Sequence, residues 1–163
     1  MSQPTATSAG RWVLLSYRLP REPSTPRVEV WRALKRLGVA QLLDGLVALP
    51  EDSRTREQLE WIADQVLEAG GDAGIWLAEP ATAAQERGLA ERMRVAVAAD
   101  YQLVADEAAQ AVEADPVARR RALRRLRRRL HALRRRDYFP PPERETARQA
   151  LDRLAVVAEV VQT

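Results

Sequence analysis

The amino-acid sequence predicts an α+β fold, and three observations lead to that prediction. Two runs rich in β-branched and aromatic residues, WVLLSYR at 12–18 and AGIWLAE at 73–79, are followed by prolines and indicate strands. Between these runs, apolar residues recur at helical spacing in two separate segments. From Thr82 onward, the apolar residues follow a helical period throughout. We therefore expect a mixed domain followed by a helical region.

The first predicted helix and the hairpin after it have clear local signals. Ser24 or Thr25 can cap the helix, Pro26 fits its first turn, and Gly38 ends it. The apolar runs VAQLL and GLVALP follow, and the dipeptide Asp44-Gly45 between them is typical of a tight hairpin. These signals predict two neighbouring antiparallel strands.

The second predicted helix completes the domain. Asp52 or Ser53 can cap this helix, and Gly70-Gly71 closes it before the last strand. The resulting order over residues 12–79 is βαββαβ. This order predicts a ferredoxin-like domain, in which one antiparallel sheet carries both helices on one face.

Residues 80–163 are predicted to form three antiparallel helices that pack on the sheet or on a partner. Asp115-Pro116 starts the second of these helices, and the proline-rich segment 137–142 breaks it. Residues 1–11 lack the charged and apolar regions of a signal peptide, so we expect a disordered leader. No apolar run approaches the ~20 residues that span a bilayer. We therefore expect a cytoplasmic protein without a membrane partner.

The predicted strands are apolar on both faces. Val13 and Leu15 point to one side of the first strand, whereas Trp12 and Leu14 point to the other. A sheet with helices on only one face should be polar on its second face. We therefore predict that the C-terminal helices or another subunit cover the second face, and that the protein forms a homodimer or docks on a domain of another chain. We expect Trp61 to pack beneath the C-terminal helices, with an interface anchor as the alternative.

The positive charge of the chain is concentrated in RRRALRRLRRRLHALRRR at 119–136, which holds eleven arginines and no carboxylate. The whole chain carries +3, so everything outside this segment sums to −8. At 100° per residue, four leucines at 123, 126, 130 and 133 fall within an arc of about 80°. Ten of the arginines spread over the remaining surface, so we expect a helix docked along a leucine edge.

Three interpretations of these arginines remain open. They bind DNA phosphates, they bind an acidic partner or another anion, or they form a solvated face that neighbouring carboxylates neutralise. The carboxylates available for the third interpretation are Asp100, Asp106, Glu107, Glu113, Glu143, Glu145 and Asp152. The residues predicted to bind DNA are Arg120, Arg121, Arg124, Arg125, Arg127, Arg128 and Arg135.

The residue types argue against catalysis and metal binding. The chain has no cysteine and one histidine, His131, which lies among the arginines. A glycine-rich phosphate loop and paired carboxylates in a cleft are also lacking. We expect no enzyme activity, no metal site and no cofactor. An exposed His131 without a role is the preferred interpretation, and pH sensing or phosphate contact is the alternative.

Two long blocks, YRLPREPSTPRVEVWRALKRLG and LLDGLVALPEDSRTREQLEW, resemble the N-terminal region of the ChrB-type chromate-resistance regulators. The resemblance implies a bacterial cytoplasmic regulator of a chromate-efflux operon that binds promoter DNA and responds to chromate. Chromate is a tetrahedral dianion, which suits guanidinium groups. The candidate oxyanion residues are Arg18, Arg21 and Arg27, near the start of a predicted helix.

Overall fold

The structure is a computed structural model that describes residues 10–160. The chain divides between Ala90 and Glu91 into two compact units, here the N-terminal unit and the C-terminal unit. Most of the leader predicted at 1–11 lies outside the described residues. Arg11 lies within them, and its carbonyl oxygen accepts a hydrogen bond from the Glu51 amide at 3.0 Å.

The N-terminal unit contains a four-stranded sheet and two complete helices. In chain order the elements are β1 (Trp12–Arg18), α1 (Thr25–Leu37), β2 (Ala40–Leu43), β3 (Leu46–Pro50), α2 (Ser53–Glu68) and β4 (Asp72–Ala78). The strand order across the sheet is β2-β3-β1-β4, and all neighbouring strands are antiparallel. Leu15, at the centre of β1, lies opposite Val47 on one side and Ile75 on the other. The α+β prediction is confirmed.

Local chemistry sets the ends of the two helices. Gly38 ends α1 in the left-handed conformation with φ 73°, which glycine adopts without steric cost. Asp52 caps α2 by accepting the Thr55 amide at 2.7 Å, while the Thr55 hydroxyl accepts the Asp52 amide at 2.9 Å. Ser24 is the residue before α1, but its side chain makes no capping hydrogen bond.

The two faces of the sheet differ in how much of each is buried. On the first face Val13 and Leu15 are fully buried, as are Leu59 and Val66 of α2. On the second face Trp12 is buried and its indole N–H donates to a Glu86 carboxylate oxygen at 3.3 Å. Trp76, on the same face, is 58% exposed and donates to Ser16 Oγ at 2.9 Å. The second face is thus covered only in part.

Trp61 of α2 is 67% exposed. It lines a groove of about 540 Å³ between α1 and α2, with Arg36, Gln58 and Asp64. The expectation that this side chain packs beneath the C-terminal helices is therefore wrong. Its position opposite Leu59 and Ile62 keeps it on the outer side of α2, away from the sheet.

The C-terminal unit is built on one helical core. Its helices are α3 (Ala83–Ala111, which contains the division between the units), α4 (Pro116–Arg135) and α5 (Glu143–Glu159). The buried core includes Tyr101, Val104, Ala108, Leu123, Leu126, Leu130, Leu133, Ala147, Leu151 and Leu154. Val161, predicted in the stripe of the last helix, lies outside the described residues. Within residues 10–160, no helix has the length and apolarity needed to cross a membrane.

Candidate nucleic-acid interface

Helix α4 is held in one orientation by its start and by its leucine edge. Asp115 caps the helix, because its carboxylate accepts the Ala118 amide at 3.0 Å. The leucine edge is buried, with exposed fractions of 6% or less at Leu123, Leu126 and Leu133. Since this edge packs into a shared core with α3 and α5, the opposite side of α4 must face outward.

On the side of α4 that faces α3, three arginines have carboxylate partners. Arg125 and Arg129 both reach Glu107, at 3.2 and 2.7 Å. Arg136, just after α4, pairs with Asp100 at 2.7 Å. Arg119 differs from the rest, because its Nε donates to the Val112 carbonyl oxygen at 2.9 Å. The α3 side therefore neutralises part of the charge.

Among the described residues, the carboxylates of α5 form no ion pair with an arginine of α4. Arg148, on α5 itself, donates to Glu145 and, at 2.7 Å, to Asp152. The hydrogen bond from Arg148 lowers the pKa of Glu145 to about 2, and the nearby positive charge of Arg134 adds to the same effect. Two of the seven carboxylates that could have neutralised α4 are thus paired within their own helix.

The remaining face of α4 carries a stripe of arginines without partners. The arginine stripe consists of Arg120, Arg121, Arg124, Arg127 and Arg128. None of the five guanidinium groups makes a hydrogen bond or ion pair with any residue between 10 and 160. At 100° and 1.5 Å per residue, they lie within an arc of about 120° and over about 12 Å of helix. The result is a continuous cationic surface.

Five of the seven arginines predicted to bind DNA form this stripe. Arg125, the sixth, lies beside the stripe and is paired with Glu107. Arg135, the seventh, is exposed and lies in the same arc. It is not counted in the stripe because its side chain or backbone interacts with another group. His131 is also exposed within this arc, so its side chain lies among the stripe guanidinium groups.

The charge of the two units has opposite sign. Residues 91–163 contain sixteen arginines and eleven carboxylates, which gives +5, whereas residues 1–90 carry −2. The sequence predicted an excess of positive charge in residues 119–136, but it could not identify Glu107 as the carboxylate shared by two arginines. In the sequence, only the position of Glu107 on the preceding helix indicated that it could pair with α4.

The predicted oxyanion residues separate into two groups. Arg18 and Arg27 line one open cavity of about 720 Å³ in the N-terminal unit. Arg21 is exposed and is not among the residues that line it. Arg18 also pairs with Asp72 at 3.3 Å. Trp31 lines the same cavity and was missed in the sequence, although its polar-facing position on α1 was a signal.

A metal site is not formed by the part of the chain that the structure describes. No three His, Cys, Asp or Glu side chains come together there in a geometry that could hold a metal ion.

Comparison with known proteins relates the chain to a family and to a curated relative. The family described as "Protein ChrB, N-terminal" matches residues 27–161, which include every element from α1 to α5 except the first residues of α1. Protein ChrB of Cupriavidus metallidurans is 30% identical over 135 residues, covering 79% of this chain and 40% of the relative. The chain thus matches less than half of the length of that relative. No solved structure matches the chain.

Proposed function

The chain belongs to the ChrB N-terminal family, and from that membership we propose that it is a chromate-resistance regulator that binds duplex DNA through α4. The carrying observation is the arginine stripe, whose five guanidinium groups have no carboxylate partner within residues 10–160. Ten like charges on one helix repel each other, and a polyanion relieves that repulsion. Phosphates accept from guanidinium groups in a bidentate geometry, as carboxylates do, and a DNA duplex carries one phosphate charge per about 1.7 Å of its axis, which suits closely spaced guanidinium groups.

The stripe is suited to hold a phosphate backbone and not to read bases. Base recognition needs side chains that distinguish the groove edges, whereas phosphate contacts give affinity that is independent of sequence. No aromatic side chain lies among the five arginines, so stacking on a single strand is not favoured over duplex binding. We therefore propose that α4 supplies affinity, and that sequence choice comes from elsewhere in a regulator.

A salt titration tests this proposal. If all five stripe arginines neutralise a phosphate, the logarithm of the association constant should fall with the logarithm of salt with a slope of about −4.5. A variant with Arg121→Glu, Arg124→Glu and Arg128→Glu should reduce the magnitude of that slope by about 3 and weaken binding by at least about 100-fold at low salt. Fluorescence anisotropy of a short labelled duplex measures both quantities.

A matched control keeps the net charge equal. Arg32→Glu, Arg87→Glu and Arg153→Glu make the same change in charge at exposed arginines outside α4. This variant should lose only the small general attraction between the chain and DNA. Equal affinities of the two triple variants, both folded by circular dichroism, would show that α4 is not the DNA surface.

Regulation by chromate is the second part of the proposal. Arg18 and Arg27 lie on one cavity beside the start of α1, which supports an oxyanion site there. Chromate should then weaken DNA binding by the full chain, with sulfate as the competing control of the same shape and charge. An Arg27→Gln variant that responds to chromate like the parent would remove this site from the proposal.

We also propose a ferredoxin-like domain, a three-helix appendage and a cytoplasmic location. The strand order β4-β1-β3-β2 and the order βαββαβ support a ferredoxin-like domain, and the shared core of α3, α4 and α5 supports a three-helix appendage. A DNA-binding regulator of a bacterial operon would act in the cytoplasm.

A partner-docking module is the alternative function, and Trp61 favours it. An exposed tryptophan beside a groove is typical of an interface anchor, and this one lies at 67% exposure beside Arg36 and Asp64. In this alternative, the arginine stripe pairs with an acidic surface of a second copy or of another chain. Analytical ultracentrifugation over micromolar concentrations should detect a dimer that Trp61→Ala dissociates. A strict monomer that captures no acidic partner would contradict this alternative.

A further inference from the structure

The N-terminal unit has a cavity at the end of β1 that DNA binding does not use. Its walls come from the last residues of β1, the hairpin between β2 and β3, and the first turns of α1, including Tyr17, Ser24, Arg27, Trp31 and Asp44. Its volume is about 720 Å³, within the range of about 300–1,000 Å³ that is usual for small-molecule sites. It contains no residue of the arginine stripe.

The volume argues for a ligand larger than a bare tetrahedral oxyanion. Five heavy atoms occupy roughly the space of five water molecules, about 150 Å³. A ligand of that size would leave most of the cavity in contact with solvent. The cavity therefore fits a molecule of drug-like size, with room for a ring as well as an anionic group.

Arg27 and the start of α1 are suited to an anionic group. The Arg27 guanidinium group makes no hydrogen bond or ion pair with any residue that the structure describes, and its positive charge acts on the Tyr17 hydroxyl. Ser24, the residue before α1, leaves the first turn of that helix without a side-chain cap. A phosphate placed here would meet a guanidinium group and the positive end of the helix dipole.

The other walls are suited to a planar ring that carries hydrogen-bond donors. Trp31 is 54% exposed, and the Lys35 ammonium lies over its ring at 4.7 Å from the centroid. An exposed indole of this kind stacks on aromatic rings without regard to their identity. Burial raises the pKa of Tyr17, the charge of Asp44 adds to that rise, and the charge of Arg27 opposes it. A carboxylate therefore lies near the same hydroxyl. That carboxylate repels a purely anionic ligand and accepts from an amino group.

We propose that this cavity binds a mononucleotide with an amino-bearing base, which stacks on Trp31 and donates to Asp44 while its phosphate contacts Arg27. A plain oxyanion such as the chromate proposed above would contact Arg27 alone and would lie near Asp44, so it should compete with the nucleotide but bind more weakly, and a neutral nucleoside would leave Arg27 without a partner. The site lies in the N-terminal unit and goes beyond the DNA-binding function proposed for α4. Binding of the nucleotide involves no covalent step.

Isothermal titration calorimetry of the full chain tests the proposal with four probes. Adenosine monophosphate should bind, while adenosine and inorganic phosphate, which each offer half of the contacts, should bind at least about tenfold more weakly. Inosine monophosphate replaces the amino group by a carbonyl and should also bind more weakly. No heat with adenosine monophosphate up to millimolar concentration would overturn the proposal, and inorganic phosphate binding as tightly as the nucleotide would do the same.

Variants locate the site and separate it from α4. Arg27→Gln and Trp31→Ala should each weaken adenosine monophosphate binding about tenfold. Arg32→Gln and Trp76→Ala, which remove an exposed arginine and an exposed tryptophan outside the cavity, should leave it unchanged. Unchanged binding in both cavity variants would refute the assignment. The triple variant of the arginine stripe should keep nucleotide binding, so failure of the DNA proposal and failure of this one are distinguishable.

Discussion

Helices α4 and α5 pack on the same core, and both carry arginines, but the partners of those arginines differ. On α5, Arg148 lies between Glu145 and Asp152, three residues before it and four after it, and pairs with both. On α4 there is no carboxylate from Pro116 to Arg135, so its ion pairs can come only from other helices. Five arginines are then left without a partner among the described residues.

The comparison shows that composition alone does not explain the arginine stripe. The whole chain uses arginine in place of lysine, with Lys35 as its single lysine. That preference acts on α5 as much as on α4, yet α5 keeps alternating signs that stabilise a helix surface. The solvated arginine face of this protein is therefore the one seen on α5. The face of α4 is of another kind, and an external polyanion is the simplest partner for it.

The largest expected effect comes from the leucine edge of α4. Leu126 is fully buried, so Leu126→Ala should lower the free energy of unfolding by about 2–5 kcal/mol through lost burial and a cavity. Arg124→Ala, on the exposed face, should change it by no more than about 0.5 kcal/mol. Urea denaturation measures both. Similar losses in the two variants would mean that α4 is not divided into a docked edge and an exposed stripe.

A second, smaller loss is expected at the polar junction after α4. Asp137 accepts the Tyr101 hydroxyl at 2.8 Å and lies 3.6 Å from an Arg144 nitrogen, and its side chain is fully buried. Asp137→Ala leaves the buried Tyr101 hydroxyl without its acceptor, which should cost about 1–3 kcal/mol.

Tyr101→Phe is the matched control for that junction. The double variant should cost less than the sum of the two single ones, because both remove the same hydrogen bond. Tyr101 gives a second measurement: burial raises its pKa first, and the hydrogen bond to Asp137 adds to the rise. Asp137→Ala should therefore lower the pKa of Tyr101 in a spectroscopic titration. Additive losses and an unchanged pKa would contradict the coupling.

The parts of the fold that could be predicted are those fixed by neighbouring residues. The limits of β1 at Trp12–Arg18 and the end of α1 at Gly38 agree with the sequence, because strand composition, prolines and glycines act within a few residues. The leucine edge of α4 also follows from its own spacing. Each of these features needs no knowledge of the rest of the chain.

The partners of the arginines could not be predicted, because they depend on how each helix is rotated about its axis. Asp100, Glu107 and Glu145 were equivalent in the sequence, but only the first two reach arginines in or just after α4 with an ion pair. Trp61 is the same kind of case, since its exposure depends on which surfaces meet in three dimensions. The kinds of group that can pair were thus predictable, whereas the tertiary geometry that selects the actual pairs was not.

Glu107→Gln should sharpen the contrast by giving α4 a wider unpaired face. The substitution keeps the shape of the side chain but releases Arg125 and Arg129 from their ion pairs. The affinity for duplex DNA should therefore rise several-fold at low salt, and the magnitude of the salt slope should increase by up to about 2. The unfolding free energy should fall by about 0.2–1 kcal/mol for each lost pair. Asp106→Asn is the matched control, because this substitution removes the same charge as Glu107→Gln. Among the described side chains, only that of Gln102 donates to the Asp106 carboxylate. An equal rise in affinity in both variants would assign the effect to net charge.

The smallest expected effect is a loss of stability in acid that comes from the ion pair on α5. Arg148 holds the pKa of Glu145 at about 2, below its ordinary value of 4.5. A depressed folded pKa stabilises the protein fully above 4.5, and that contribution is lost as the pH falls from 4.5 through about 2. Wild type should therefore melt above Glu145→Gln near neutral pH, with the difference vanishing towards pH 2. A difference that stays constant across this window would show that the Glu145–Arg148 pair contributes nothing to stability.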